Sequence, residues 1–142
     1  AIAEAESLHL ELSQVHYYRG NLYFPLGKID GCLKEHELAL AQAQIAASPE
    51  DEARALSGLG DAYYSRGRMI SSLSYFRRCL DLCRQQGLGR IAVGNQYMAA
   101  WGRFYLNEVA GALEDALEAI DSAQRVGHQR AAMKGSPSGL PR

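Results

Sequence analysis

Apolar residues recur at steps of three and four along most of the chain, a period that predicts amphipathic α-helices rather than strands. Short polar or glycine-containing joints interrupt the pattern, most clearly at residues 48–51 and 87–89. At the first joint, Ser48 or Asp51 can cap the following helix, and acidic residues suit a helix start. We predict helices over about residues 1–10, 12–25, 28–47, 51–65, 68–86, 91–106 and 109–126, and the start of a further one at 128–134.

The helical pattern repeats at a spacing of 40 residues. Four sets of small or turn residues occupy equivalent positions in three successive segments. They are Gly20, Gly60 and Ala100; Gly27, Gly67 and Asn107; Cys32, Ser72 and Ala112; and Ala39, Cys79 and Ala119. Because glycine inside a helix costs about 1 kcal/mol relative to alanine, the first set indicates that another helix passes close by. Glycine and asparagine tolerate the left-handed backbone that ends a helix, so the second set predicts tight turns. Each unit is therefore a helix, a turn and a helix.

Two of these segments, GNLYFPLGKIDGCLKEHELAL and GLGDAYYSRGRMISSLSYFRRCL, resemble tetratricopeptide repeats. The family pattern has a small residue followed after three positions by an aromatic, a glycine at the turn, and small residues in the second helix. The matching residues are Gly20 with Tyr23, Gly60 with Tyr63, Gly27, Gly67, Cys32, Ser72, Ala39 and Cys79. Phe76 supplies the aromatic of the second helix, whereas His36 departs from the pattern. The third segment departs further, with Ala100, Arg103 and Asn107 at the glycine, aromatic and glycine positions.

The resemblance covers about residues 12–126 and implies an all-α, right-handed solenoid of helical hairpins. We expect one repeat domain over residues 1–134, with about three repeats at 12–50, 51–90 and 91–127. Residues 1–10 would end a helix of a preceding repeat, and the Gly-, Ser- and Pro-rich residues 135–142 would form a flexible tail. The 40-residue repeat and the segment RFYLNE are also similar to the C-terminal repeat region of large bacterial ATPase regulators and class III nucleotide cyclases.

Composition narrows the possible functions. A chain of 142 residues that is 47% hydrophobic is unlike a disordered protein. Its net charge of -1 lacks the basic excess of a nucleic-acid binder, so we expect no nucleic-acid partner. No apolar run approaches the roughly 18 residues that span a bilayer, so we expect no membrane partner. Three cysteines are an odd number, which fits a reducing, cytoplasmic compartment and disfavours a disulfide framework.

The sequence gives little evidence for catalytic or metal-binding residues. His16 and His36 fall on facing helices, and we interpret them as a packed pair at positions that usually hold apolar residues. Cys79 and Cys83 lie one helical turn apart. Because no further metal ligands are evident nearby, we interpret them as two small core residues and not as a metal site. With no nucleophile–base pair, metal set or phosphate loop, we predict no catalytic residue, cofactor or metal in this chain, and hence no enzyme activity.

The feature that rises above background is a predicted concave surface. In a stack of hairpins the first helix of each pair lines the concave side. The residues expected on it are Gln14, Tyr17, Asn21 and Phe24; Arg54, Ser57, Asp61 and Tyr64; and Tyr97, Trp101 and Phe104. Exposed rings supply contact area and the polar groups set the register of a bound peptide. The alternative is that several of these rings pack into the core, because rings bury large areas.

The leading hypothesis is a non-catalytic protein-interaction module, part of a multidomain signalling or regulatory protein, that binds a peptide or helix of a partner protein in this concave groove. The alternative is a sensory repeat domain that binds a small ligand and controls an attached ATPase or nucleotide cyclase. A stack of hairpins also has open apolar ends, here at residues 1–12 and near 126–133, through which self-association is plausible.

Overall fold

The computed structural model describes residues 2–127, within which six helices and no strand are found. They are α1 (Ile2–Tyr23), α2 (Ile29–Ile45), α3 (Pro49–Ser65), α4 (Met69–Gln86), α5 (Gly89–Tyr105) and α6 (Val109–Val126). The prediction of an all-α fold is confirmed. The predicted helix start at 128–134 and the predicted tail at 135–142 lie outside the described residues.

The first helix differs from its prediction. Residues 1–10 and 12–25 were expected to form two helices, but α1 runs without a break from Ile2 to Tyr23. The joint that we placed near Glu11 contains no glycine or proline, and leucine and glutamate are both good helix formers. Residues 2–10 therefore extend the first helix of the first hairpin and do not form a separate element.

The helices pair into three successive hairpins, α1–α2, α3–α4 and α5–α6, and each hairpin packs on the next through α2–α3 and α4–α5. The first helices also touch one another, α1 with α3 and α3 with α5, whereas α2, α4 and α6 make no such contacts within residues 2–127. The first helices thus lie closer together than the second helices. This spacing curves the stack and places α1, α3 and α5 on its concave side.

The small residues inside the first helices make room for rings of the second helices. A methyl group added at Gly60 would lie 2.7 Å from Cζ of Phe76, which is fully buried. Methyl groups at Gly20 of α1 and at Gly58 of α3 would both clash with the ring of His36, which lies on α2 between them. The close neighbour of Gly20 and Gly60 is thus an aromatic side chain of the second helix of the same hairpin.

The two histidines that we interpreted as a packed pair have different surroundings. His36 is 1% exposed and takes the position that Phe76 occupies in the second hairpin. His16 is only half-buried, and its Nδ1 lies 2.7 Å from Oε2 of Glu35. Glu35 is itself buried and also contacts the Arg19 guanidinium at 3.2 Å. The interpretation holds for His36 but is wrong for His16, which belongs to a polar network with a buried carboxylate.

The cysteines are core residues, as predicted. Cys32, Cys79 and Cys83 are free and buried, and the latter two pack with Ala53 and Leu56 between α3 and α4. The Cys79 thiol donates a hydrogen bond to the Ala53 carbonyl at 3.3 Å. Burial raises the pKa of the Cys32 thiol to about 11, so this side chain is uncharged at neutral pH.

The predicted turn residues adopt the expected backbone. Gly27, Gly67 and Asn107 have φ of 70°, 74° and 62°, which confirms that the small or amide side chain is there to permit a left-handed conformation. The joints between hairpins form a second set with the same conformation, at Ala47, Gly87 and Gly127. These residues are also 40 apart. Ala47 is therefore an alanine where its two counterparts are glycine, and sequence analysis had not singled it out.

Replacing Ala47 with glycine is expected to stabilise the protein. An L-residue in the left-handed region costs roughly 1–2 kcal/mol, while the added flexibility of glycine in the unfolded chain costs about 0.4–1 kcal/mol. Since Ala47 is exposed, no packing is lost, and we expect a net gain of up to about 1 kcal/mol in the free energy of unfolding. Urea denaturation measures it. The matched control, Ala41→Gly at an exposed position inside α2, should instead destabilise the protein, and a loss of stability in both variants would contradict the argument.

Candidate interaction surface

The eleven residues predicted for the concave surface all lie on, or directly after, the first helices of the hairpins. None of them is buried. Asn21, Phe24, Trp101 and Phe104 are exposed, and the other seven are half-buried. Among the six rings, Tyr17, Tyr64 and Tyr97 are half-buried, whereas Phe24, Trp101 and Phe104 are exposed.

Four rings come together across the second and third hairpins. We call Tyr64, Trp101, Phe104 and Tyr105 the aromatic cluster. The Trp101 ring centroid lies 5.8 Å from that of Phe104 in a T-shaped arrangement, and 6.2 Å from that of Tyr105. The Tyr105 ring in turn lies 6.0 Å from that of Tyr64 on α3. The cluster therefore joins neighbouring first helices into one continuous aromatic surface.

The aromatic cluster is exposed and uncharged. About half of the surface of each of Trp101, Phe104 and Tyr105 remains accessible. A hydrogen bond with Tyr105 raises the pKa of the Tyr64 hydroxyl, so this group stays protonated at neutral pH. Such a surface offers apolar area with hydroxyl groups at one side, a combination that is enriched at protein interfaces.

Two of the polar residues predicted for this surface, Arg54 and Ser57, contact neighbouring side chains. The Ser57 hydroxyl of α3 donates to Oδ1 of Asn95 on α5 at 2.6 Å, and the Asn95 amide donates to the Ile91 carbonyl at 2.8 Å. Arg54 pairs with Glu50 of its own helix at 2.5 Å. Of these contacts, the hydrogen bond between Ser57 and Asn95 joins α3 to α5, the two helices that carry the aromatic cluster.

The first hairpin contributes differently from the second and third. Tyr17 packs its ring 5.7 Å from that of buried His36 and 5.4 Å from that of Tyr18, so it supports the core as well as the surface. Phe24 lies just beyond the end of α1 and is exposed. The first hairpin thus adds Asn21 and Phe24 to the surface as exposed residues.

Sequence analysis missed two residues of this surface. Tyr105 follows Phe104 directly, and its repeat counterparts, Pro25 and Ser65, gave no aromatic signal. Asn95 was missed because its counterpart Ala55 is a small core residue. Asn95 could have been found from the sequence, because it is a polar residue at a position where the preceding repeat has the core residue Ala55.

Neither a metal site nor a membrane span emerges from the described part of the chain. Among residues 2–127, no three or more His, Cys, Asp or Glu side chains group in a way that suits a metal ion. No helix in the same range combines the length and the apolar character that a bilayer crossing requires.

Comparison with known proteins agrees with the geometry. The family model for the tetratricopeptide repeat matches residues 11–85, which is more than half of the chain. The chain belongs to the tetratricopeptide repeat family. Repeats of this family act as protein-interaction modules, and the solenoid described above is such a module. No curated protein matches the sequence significantly.

A solved structure shares the fold. The crystal structure of aspartyl phosphate phosphatase F from Bacillus subtilis is similar to this chain with a TM-score of 0.84 at 15% sequence identity. The similarity covers 89% of this chain and 33% of that one, so the chain spans about a third of that protein's length. At this identity the likeness concerns the arrangement of the helices.

Proposed function

We propose that the concave surface binds a segment of a partner protein, as a peptide or an amphipathic helix, with the aromatic cluster as its anchor. The observation that carries the proposal is the exposure of three adjoining rings, Trp101, Phe104 and Tyr105, on the helices that line the concave side. Each of these rings is large enough to be buried within the core, yet each keeps about half of its surface accessible. An exposed contiguous apolar patch of this kind commonly marks a binding site.

The chemistry of the cluster favours a partner with apolar or aromatic side chains on one face. Rings bury large areas with little loss of conformational entropy, and aromatic pairs contribute roughly 0.5–1.5 kcal/mol beyond the buried area. Binding free energy at interfaces is concentrated in a few such residues. An amphipathic helix or an extended segment with anchors at spaced positions would satisfy this surface, while Asn21 and Arg54 offer polar contacts to its flanks.

The proposal is tested with a phage-displayed library of random peptides selected on the immobilised protein. We expect selected peptides to share apolar or aromatic anchors. Trp101 is the single tryptophan of the chain, so its fluorescence reports directly on this surface. Peptide binding should shift its emission to shorter wavelength because the ring leaves water. Selected peptides that bind without any change in this emission would contradict the assignment of the site.

Replacing Trp101 with alanine is expected to weaken the selected peptides by roughly 30-fold, about 2 kcal/mol, as is typical of an aromatic anchor. The free energy of unfolding should change little, because half of the ring is already exposed. Titration calorimetry measures the affinity. Trp101→Phe should retain most of the binding, and Leu117→Ala, an exposed aliphatic residue of α6, should leave it unchanged. Equal affinity of wild type and Trp101→Ala would reject the anchor.

A second candidate, the small-ligand sensor, is favoured by one observation. A cleft of about 240 Å³ opens between α4 and α6, lined by Arg77, Arg84, Gln96 and Glu118 among others. Within it, Oε1 of Gln96 is buried and has no hydrogen-bond partner among the described residues. A ligand that donates a hydrogen bond there would stabilise the folded state. Thermal denaturation against a metabolite panel tests this candidate: a ligand whose effect is lost in Gln96→Leu supports it, and no shift with any compound argues against it.

A further inference from the structure

The face of α1 that points away from the rest of the stack is apolar and exposed. Leu8, Val15, Tyr18 and Leu22 are 55%, 52%, 61% and 65% exposed. Leu8, Val15 and Leu22 are each seven residues apart, the period at which side chains form one straight seam for a second helix. We call these four residues the α1 seam. Since α1 has 22 residues, it offers roughly 33 Å of helix for a contact.

The α1 seam differs from the equivalent faces inside the stack. In α3, the residues 40 positions after Val15, Tyr18 and Leu22 are Ala55, Gly58 and Ala62, and all three are buried. Gly58 meets His36 of α2 on that face. At these positions α3 keeps only small side chains, which let the second helix of the preceding hairpin approach closely.

In the third hairpin the counterparts of Val15, Tyr18 and Leu22 are Asn95, Met98 and Gly102, so a small residue recurs only at the last position. Gly102 of α5 is buried, and a methyl group there would lie 3.3 Å from the Leu73 side chain of α4. Leucine on α1, where α3 has alanine and α5 has glycine, would hold such a neighbour away. At the Leu22 position the α1 seam therefore suits a helix that packs at a wider separation.

The charges beside the α1 seam are arranged symmetrically about Val15. Four positions before it is Glu11 and four positions after it is Arg19, and both are exposed. Seven positions to either side are Leu8 and Leu22. If a second copy of α1 lies antiparallel with the two-fold axis at Val15, leucine meets leucine and Glu11 comes level with Arg19 of the other copy. An isologous contact requires this kind of self-complementarity.

We propose that the α1 seam is the contact between two copies of this chain, which form an antiparallel, two-fold symmetric dimer centred on Val15. Both apolar layers and both ion pairs are then satisfied by one register. Arg19 also contacts Glu35 of its own chain, and the five N–H groups of a guanidinium allow it to keep both partners. This inference is independent of the concave surface, which lies on a different side of the first helices.

Sedimentation velocity over a wide concentration range tests the dimer. We expect reversible dimerisation of the 142-residue chain, and a monomer at all concentrations for Val15→Glu, which sets two carboxylates against each other on the axis. Circular dichroism confirms that each variant is folded. Leu117→Glu, on an equally exposed apolar face of α6, is the matched control and should dimerise like the wild type. A monomeric wild type at every concentration overturns the proposal, as does a dimer that Leu117→Glu abolishes and Val15→Glu does not.

Charge reversal tests the register itself. Glu11→Arg should weaken its own dimer roughly tenfold, because each new arginine faces Arg19 of the other copy, and Arg19→Glu should do the same by opposing Glu11. An equimolar mixture of the two variants restores both opposite-charge pairs. We expect heterodimers to form in the mixture with close to wild-type affinity, detected by mixing differently labelled chains. Failure of the mixture to recover binding, with both variants folded, overturns the antiparallel register centred on Val15.

Discussion

Replacing Phe76 with alanine is expected to lower the free energy of unfolding by about 3–5 kcal/mol, the usual cost of removing a fully buried phenylalanine ring. Phe76 is 0% exposed and packs with Leu73, Leu80 and Ala99, so its ring joins the second hairpin to the third. Gly60 lies directly against it, and no side chain there can move in to fill the space. The residual cavity is therefore large, and the loss should fall near the upper end of the range.

Urea denaturation followed by circular dichroism measures this loss. Leu113→Ala, which truncates an apolar side chain that is 60% exposed on α6, is the matched control and should cost no more than about 0.5 kcal/mol. A loss below about 1 kcal/mol for Phe76→Ala would show that the stack closes over the vacated volume, contrary to a core built on this ring.

The second large effect is a dependence of stability on pH that originates at His36. Burial lowers the pKa of His36 to about 4, and the nearby Glu35 carboxylate only partly opposes this. Its Nδ1 has no hydrogen-bond partner among the described residues. In the unfolded chain the same imidazole takes up a proton near pH 6.5. Between these values the unfolded state binds more protons, so the stability present above pH 6.5 is lost as the pH falls towards 4.

The expected loss over this interval is about 3 kcal/mol, since each pKa unit corresponds to 1.36 kcal/mol. The free energy of unfolding measured by urea denaturation at several pH values gives the slope. His36→Leu places an apolar side chain of similar size in the core, and this side chain binds no proton. The stability of this variant should therefore fall much less between pH 6.5 and 4. Parallel pH profiles for the two proteins would contradict the assignment of the effect to His36.

His36 also illustrates how far sequence could lead. Its place in the repeat, 40 residues before Phe76, predicted a core position, and the structure confirms this. Which neighbours close around it was not predictable, because Gly20 and Gly58 come from two different helices. The prediction for His16 was wrong for the same reason. Its partner Glu35 lies on α2, and the way α1 packs against α2 decides that they meet.

The third hairpin shows how a departure from the repeat is accommodated. Arg103 stands where the first two repeats have an aromatic residue, and its guanidinium contacts Asp115 at 2.9 Å and Glu108 at 3.1 Å. Ion pairs thus join α5 to α6 where the first hairpin places the Tyr23 ring against Gly31. Asp115 lies in an acidic stretch with Glu114 and Glu118, and only the hairpin geometry brings it to Arg103.

The sequence by itself determined the helices α2 to α6, their 40-residue repeat and the turns at Gly27, Gly67 and Asn107, whereas it divided α1 into two helices. Helical periodicity and left-handed backbone are local properties, so they can be read from neighbouring residues. The tertiary structure decided which rings are buried, that Tyr105 joins Trp101, and that the α1 seam is left uncovered within residues 2–127. These features depend on distances between helices and on the curvature of the stack, which arise only when the hairpins pack against one another.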